Sequence, residues 1–198
     1  MLSAPEITSL HDELTLRWHM EAVEAWHAPV EPWPALVARQ HLANFELWHI
    51  EDQARIPGAT DCDLARIKRR IDETNQRRNN LAEQIDRMLL EQLAGLGLPN
   101  SDAELNSESA GLIIDRLSIL ALKIFHTHAE IDRAGAPSGH AERNLERLEI
   151  LTTQRADLAG CLARLWSETL AGHRRFKLYQ QLKMYNDPAL NPAVYKQP

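Results

Sequence analysis

The sequence predicts an all-α fold, a single-domain bundle of about five long helices followed by a short C-terminal helix and an extended tail. Chain-breaking residues cluster at Pro29 to Pro34, Pro57-Gly58, Gly95 to Pro99, Gly135 to Gly139, Gly172 and Pro188, and the segments between them are long. Those segments are dominated by Ala, Leu, Glu, Gln and Arg, which lose little side-chain freedom in a helix. No run of β-branched residues alternating with polar ones survives between two turn signals. At 198 residues and 44% hydrophobic, the chain can build one sizeable core but is short for two. One domain over 1–198 is therefore expected, with its core in 33–185.

The first helix is expected over roughly 6 to 28. It carries His11, Asp12, Glu13 and Arg17 where a secretory signal needs an apolar run, so export by that route is not expected. The second, roughly 33 to 56, has Leu36, Ala43, Leu47, Ile50 and Ala54 on one face at about 100° per residue. His41, Asn44, Trp48, Glu51, Asp52 and Arg55 form an adjoining arc, flanked by Val37 and Phe45. A polar arc with apolar residues on both sides suits a site between bundle helices; a solvated face is the plainer alternative.

The third helix, roughly 61 to 94, aligns Leu64, Ile67, Ile71, Ala82, Ile85, Leu89 and Leu93 in one stripe. Asn75 and Arg78 fall inside that stripe, and Asp72, Asn79, Glu83 and Asp86 run along its edge. The fourth, roughly 109 to 133, is apolar at ten of the fourteen positions from Leu112 to Phe125, which places it at the bundle centre. It nevertheless carries Asp115, Arg116, Ser118, Lys123 and His126. Charges in such a helix need partners, and the acidic and amide rows of the second and third helices are the economical source. The result is either a shared polar chamber or a structural network that fixes helix register.

The fifth helix spans roughly 139 to 171 between Gly139 and Gly172. A short sixth over roughly 173 to 185 brings Arg174, Arg175, Lys177 and Lys183 among Phe176, Tyr179 and Tyr185, and the tail 186–198 holds three prolines. Cations at a helix C-terminus complement the dipole; the alternative is a clamp for an anionic ligand, with tyrosines covering a ring.

Composition narrows the function classes. A net charge of -6 and a pI near 5.8 make nucleic acid an unlikely principal partner. Cys62 and Cys161 have no C-x-x-C spacing and are read as reduced cytosolic thiols in a cytoplasmic protein. No segment is apolar enough for membrane insertion, because Asp115, Arg116 and Lys123 interrupt the best one. Zinc-protease, P-loop and hydrolase-elbow motifs do not occur. Glu46-x-x-His49 lacks the second copy that di-iron chemistry needs, and His126-Thr127-His128 cannot chelate from one helix face. Glu83-x-x-Asp86, with Glu51-Asp52 upstream, has the spacing by which carboxylates on paired helices hold magnesium (Mg2+).

Four stretches carry a family resemblance. They are Asn44-Phe45-Glu46-Leu47-Trp48-His49 through Glu51-Asp52 to Arg55; Asp72, Asn75, Arg78 and Asn79; Leu105-Asn106-Ser107-Glu108 with Asp115-Arg116-Leu117-Ser118-Ile119-Leu120 and Lys123; and Lys183-Met184-Tyr185-Asn186-Asp187-Pro188 with Asn191-Pro192. Together they resemble the bacterial domain-of-unknown-function family 4254 over about His41 to Pro192. Ile50 and Gln53 stand where charged residues are expected, and Ala110 where proline is. The resemblance implies a helical bacterial protein often associated with surface-polysaccharide biosynthesis, without an established reaction.

The expected function is binding or processing of a small anionic metabolite, a phosphorylated or nucleotide-linked sugar. Asp115, Asp52 or His41 would serve as acid or base. Arg55, Arg78, Arg116, Lys123 and Lys183 would hold anionic groups, and Asn44, Asn75, Asn79, Trp48 and Tyr185 would orient the rest. The alternatives are a magnesium-dependent pyrophosphohydrolase using Glu83 and Asp86, and a non-enzymatic adaptor or homo-oligomeric scaffold for a glycosyltransferase.

Overall fold

Among the described residues five helices form in the expected order, and each begins or ends on a feature visible in the chain. The computed structural model describes residues 3–23, 26–182 and 189–190. Helix α1 (Ala4–Met20) opens on a capping box in which Ser3 and Glu6 satisfy each other's backbone N–H groups. Helix α2 (Pro32–Gln53) starts on prolines, whose missing N–H is not needed in a first turn. Thr60 and Asp63 repeat the capping box at the start of α3 (Asp61–Ala94). Ser109 caps α4 (Ala110–Ile131), and α5 runs from His140 to Leu170. Two short strands, β1 (Glu104–Leu105) and β2 (Arg174–Arg175), pair in parallel.

Helix α4 is central and packs against the other four helices. Its Ile113, Ile114 and Leu117 meet Leu36 and Val37 of α2, Ile85 and Leu89 of α3, and Leu162 and Leu165 of α5 in the main core. A second cluster joins Leu14 and Trp18 of α1 to Ala38 and Phe45 of α2 and Leu122 of α4. The approach of α3 to α4 is close enough to require glycine: a Cβ on Gly111 would lie 2.3 Å from the Ala82 carbonyl oxygen. No helix among the described residues is long and apolar enough to cross a membrane.

The structure corrects the expected elements at three places. Helix α1 ends at Met20, not near 28. Trp26 instead turns back to meet Trp18 edge-on at 5.3 Å, whereas residues eight apart in a continuous helix are separated by about 12 Å. The expected sixth helix does not form over 173–182. Gly172, at φ +74, ends α5, and the chain then runs extended through β2. The Asn106 N–H donates to the Arg175 carbonyl at 2.7 Å, and Phe176 inserts into the main core at 1% exposure. Apolar burial of one aromatic ring outweighs the helix propensity of the segment. Lys183, Tyr185 and the tail from 186 onward, apart from 189–190, lie outside the described residues.

The third correction concerns α3. Its predicted stripe is buried at Ala82, Ile85, Leu89 and Leu93, while Leu64 is 39% exposed. At 1.5 Å per residue α3 is about 50 Å long against about 33 Å for α2 and α4, so its first turns, before Arg70 meets Gln53 at the end of α2, outrun that helix. Asn75 and Arg78 are half-buried, between that exposed start and the buried stripe. Asp86, expected on the polar edge, is instead buried because the start of α4 packs over it.

Candidate functional site

The polar arc of α2 grades from interior to surface. His41 is wholly buried, Asn44 nearly so, Trp48 and Glu51 are half-buried, and Asp52 and Arg55 are exposed. At the outer end Asn44, Trp48, Asp52, Arg55, Arg78 and Ile119 line a cleft of about 380 Å³ among α2, α3 and α4. Behind its inner wall lies a continuous hydrogen-bonded network. Arg78 Nε stands 3.1 Å from Asp115 Oδ1, which also accepts from Gln40 Nε2 at 2.5 Å and Asn44 Nδ2 at 3.0 Å. Asn44 donates to the Ser118 hydroxyl at 2.9 Å, Ser118 Oγ is 2.7 Å from His41 Nδ1, and His41 Nε2 is 2.9 Å from Thr15 Oγ1. Thr15 donates to the His11 carbonyl at 2.7 Å, which ties the network to α1.

Burial governs the charge states here. Burial raises Asp115, and Arg78, Asn44 and Gln40 oppose that rise by stabilising the carboxylate. Burial brings His41 down to about 3, so it is a neutral imidazole joining Thr15 to Ser118, with both ring nitrogens engaged. It lies behind Asn44 and does not line the cleft. Asp52, at the mouth, is reachable by a ligand, and Arg55 pairs there with Glu51 at 3.4 Å and Asp52 at 3.7 Å.

The remaining candidates fall elsewhere. Asn75 accepts from Arg78 Nη1 at 3.3 Å and so supports the guanidinium; Asn79, one position beyond Arg78, is half-buried and does not line the cleft. Arg116 and Lys123 do not join Asp115. One residue is about 100° of rotation, and Arg116 accordingly faces the other side of α4, paired with both oxygens of Glu108 at 3.0 and 2.8 Å. With Lys123 it lines a separate groove of about 750 Å³ toward α5. Glu83 accepts from the Gln181 N–H at 2.8 Å. Asp86 accepts from the Gly111 N–H at 2.6 Å and is brought up to about 6 by burial, against hydrogen bonds from Ser109 and Gly111. Both carboxylates thus serve backbone groups, and Asp86 acts at the N-terminus of α4.

Two parts of the interior were missed in the sequence. Gln40 is one turn before Asn44 on the same face, a spacing that marks it as a member of the arc. The other is a histidine cluster. His19 of α1, His49 of α2 and His126 of α4 bring one ring nitrogen each within 4.8 Å of one another. Their separation along the chain leaves no spacing signal. Burial lowers His49, and burial together with the neighbouring His19 and His49 lowers His126 to about 4. Trp48 stacks flat on His126, with centroids 4.6 Å apart and planes at 1°, so the cluster adjoins the wall of the cleft.

An all-α bundle with a buried polar network opening on a surface cleft is the class of protein that these features define. A family model described as a protein of unknown function, DUF4254, matches residues 34–178, and the chain belongs to that family. The match covers α2 to β2 and so includes the cleft, the network apart from its α1 residues, and two of the three histidines. No curated protein and no solved structure matches the chain.

Proposed function

We propose that the cleft among α2, α3 and α4 binds a small anionic metabolite, a phosphorylated or nucleotide-linked sugar in envelope polysaccharide biosynthesis. The observation that carries this reading is Arg78, held at the cleft wall by the buried Asp115. Arg78 contacts Asp115 as an ion pair and donates one hydrogen bond, from Nη1 to Asn75, which leaves others of the five N–H donors of a guanidinium for phosphate or carboxylate oxygens. Trp48, Leu47 and Ile119 supply the apolar surface on which a sugar or base ring packs, and Asn44 lies at the inner end to meet a hydroxyl. Asp52 is the carboxylate placed to exchange a proton with a ligand in the cleft.

Titration calorimetry against a panel of sugar phosphates and nucleotide sugars tests the reading. Wild type should bind a member of the panel, and Arg78→Gln and Trp48→Ala should each weaken it at least tenfold while retaining helicity. Absence of binding across the panel at millimolar ligand overturns the proposal, as does binding that is indifferent to both substitutions. Retained binding in those variants with loss in Lys123→Ala would move the site to the α4–α5 groove.

A further inference from the structure

We propose that His19, His49 and His126 form a binding site for a divalent first-row metal ion of the zinc type. The three rings come from three helices, α1, α2 and α4, and offer nitrogens within 4.8 Å of one another. Zinc bound at 2.0–2.1 Å by three imidazoles sets their nitrogens roughly 3.4 Å apart, so a shift of each nitrogen by under about 1 Å closes the site.

The tautomer at His19 is fixed by its partner. Its Nδ1 lies 2.7 Å from the Thr15 carbonyl oxygen, which only accepts, so Nδ1 carries the proton and Nε2 presents its lone pair. That arrangement, a ring N–H on a backbone carbonyl behind a free nitrogen, is the usual support of a metal-binding histidine. The Nε2 atoms of His19 and His126 are both buried without a hydrogen-bond partner. Leaving two such buried nitrogens unmatched is unfavourable, and a cation bound by both would satisfy them.

Aromatic neighbours set the ring planes. Trp48 stacks on His126, Phe125 stacks on His19 with centroids 4.1 Å apart, and Phe45 meets His49 edge-on at 4.5 Å. Asp52, whose negative charge acts on both His49 and His126, adds a favourable field for a cation. Soft sulfur ligands are absent from the set and imidazole is the sole donor type, which favours zinc, nickel or copper over magnesium or calcium. Three protein ligands leave a coordination position for water or a ligand atom, next to the Trp48 wall of the cleft.

The test uses the full chain and metal alone, so its outcome is separate from that of the sugar-phosphate titrations. Chelator-stripped protein is titrated with zinc by calorimetry and with cobalt(II) by visible absorption. The expected result is one equivalent of zinc at micromolar affinity or tighter, and cobalt bands that zinc displaces. His49→Gln and His126→Gln should each weaken zinc at least 100-fold, and His128→Gln, an exposed neighbour, should leave it unchanged. Because these variants can lose structure, X-ray absorption on the wild-type zinc complex is the second measurement, with three imidazole nitrogens expected. Absence of stoichiometric binding, a nitrogen count below three, or affinity unaffected in folded His49→Gln and His126→Gln overturns the proposal.

Discussion

Arg78 on α3 and Asp115 on α4 form an ion pair, 3.1 Å between Nε and Oδ1, that spans from a solvent-facing cleft into the interior. The arginine side chain is 25% exposed and the aspartate 8%. One end of the pair is hydrated and the other depends on protein donors. Asp115→Asn therefore strands Arg78 only partly, because its guanidinium can turn to water. Chemical denaturation should show a loss of about 2 kcal/mol, below the 3–5 kcal/mol typical when a fully buried pair is broken. Arg78→Gln should cost more than Asp115→Asn, because it leaves the buried carboxylate with amide donors alone. The reverse order would refute this picture of the network.

Asp86 supplies a pH dependence. Its folded-state value is near 6, raised by burial from an ordinary 3.8, so the folded protein binds this proton more tightly than the unfolded chain does. Stability from this group is full below about pH 4 and falls as pH rises through 6, by an amount on the order of 3 kcal/mol. Asn keeps an acceptor for the Gly111 N–H but does not ionise. The stability difference between Asp86→Asn and wild type, measured by denaturant midpoints from pH 4 to 7, should thus shift in favour of the variant as pH rises. A difference independent of pH would show that Asp86 does not titrate in this range.

Gly111 sets the spacing of α3 and α4. A methyl group there would meet the Ala82 carbonyl at 2.3 Å and the Asp86 carboxylate at 3.0 Å, and a backbone atom cannot rotate out of the way. Gly111→Ala should lower stability by about 3 kcal/mol or more despite the better helix propensity of alanine. Thermal and denaturant unfolding both measure it. A neutral result would mean that the two helices separate at little cost.

The helices were legible because helical periodicity is local. The apolar seams of α2 and α4, and Gly139 and Gly172 at the limits of α5, all act within a few residues of themselves. So did the α2 arc: a 100° step puts Asn44, Trp48 and Arg55 on one side whatever the helix packs against. The fate of 173–182 was not local, since Phe176 leaves a helix-compatible segment to fill a core supplied by other elements.

Five helical segments, an α4 too apolar to lie at the surface, and a need for partners at its charges all follow from local periodicity and composition. Tertiary structure decided which charges met. Asp115 joined Gln40 and Asn44, 75 and 71 residues away, while Arg116, its neighbour in the chain, turned about 100° away to Glu108. The depth of each polar group also came from packing: Asp86 became buried because Gly111 lets α4 descend onto it. The convergence of His19, His49 and His126 depended on the relative axial positions of three helices, which the contacts among their side chains set and no spacing along one helix encodes.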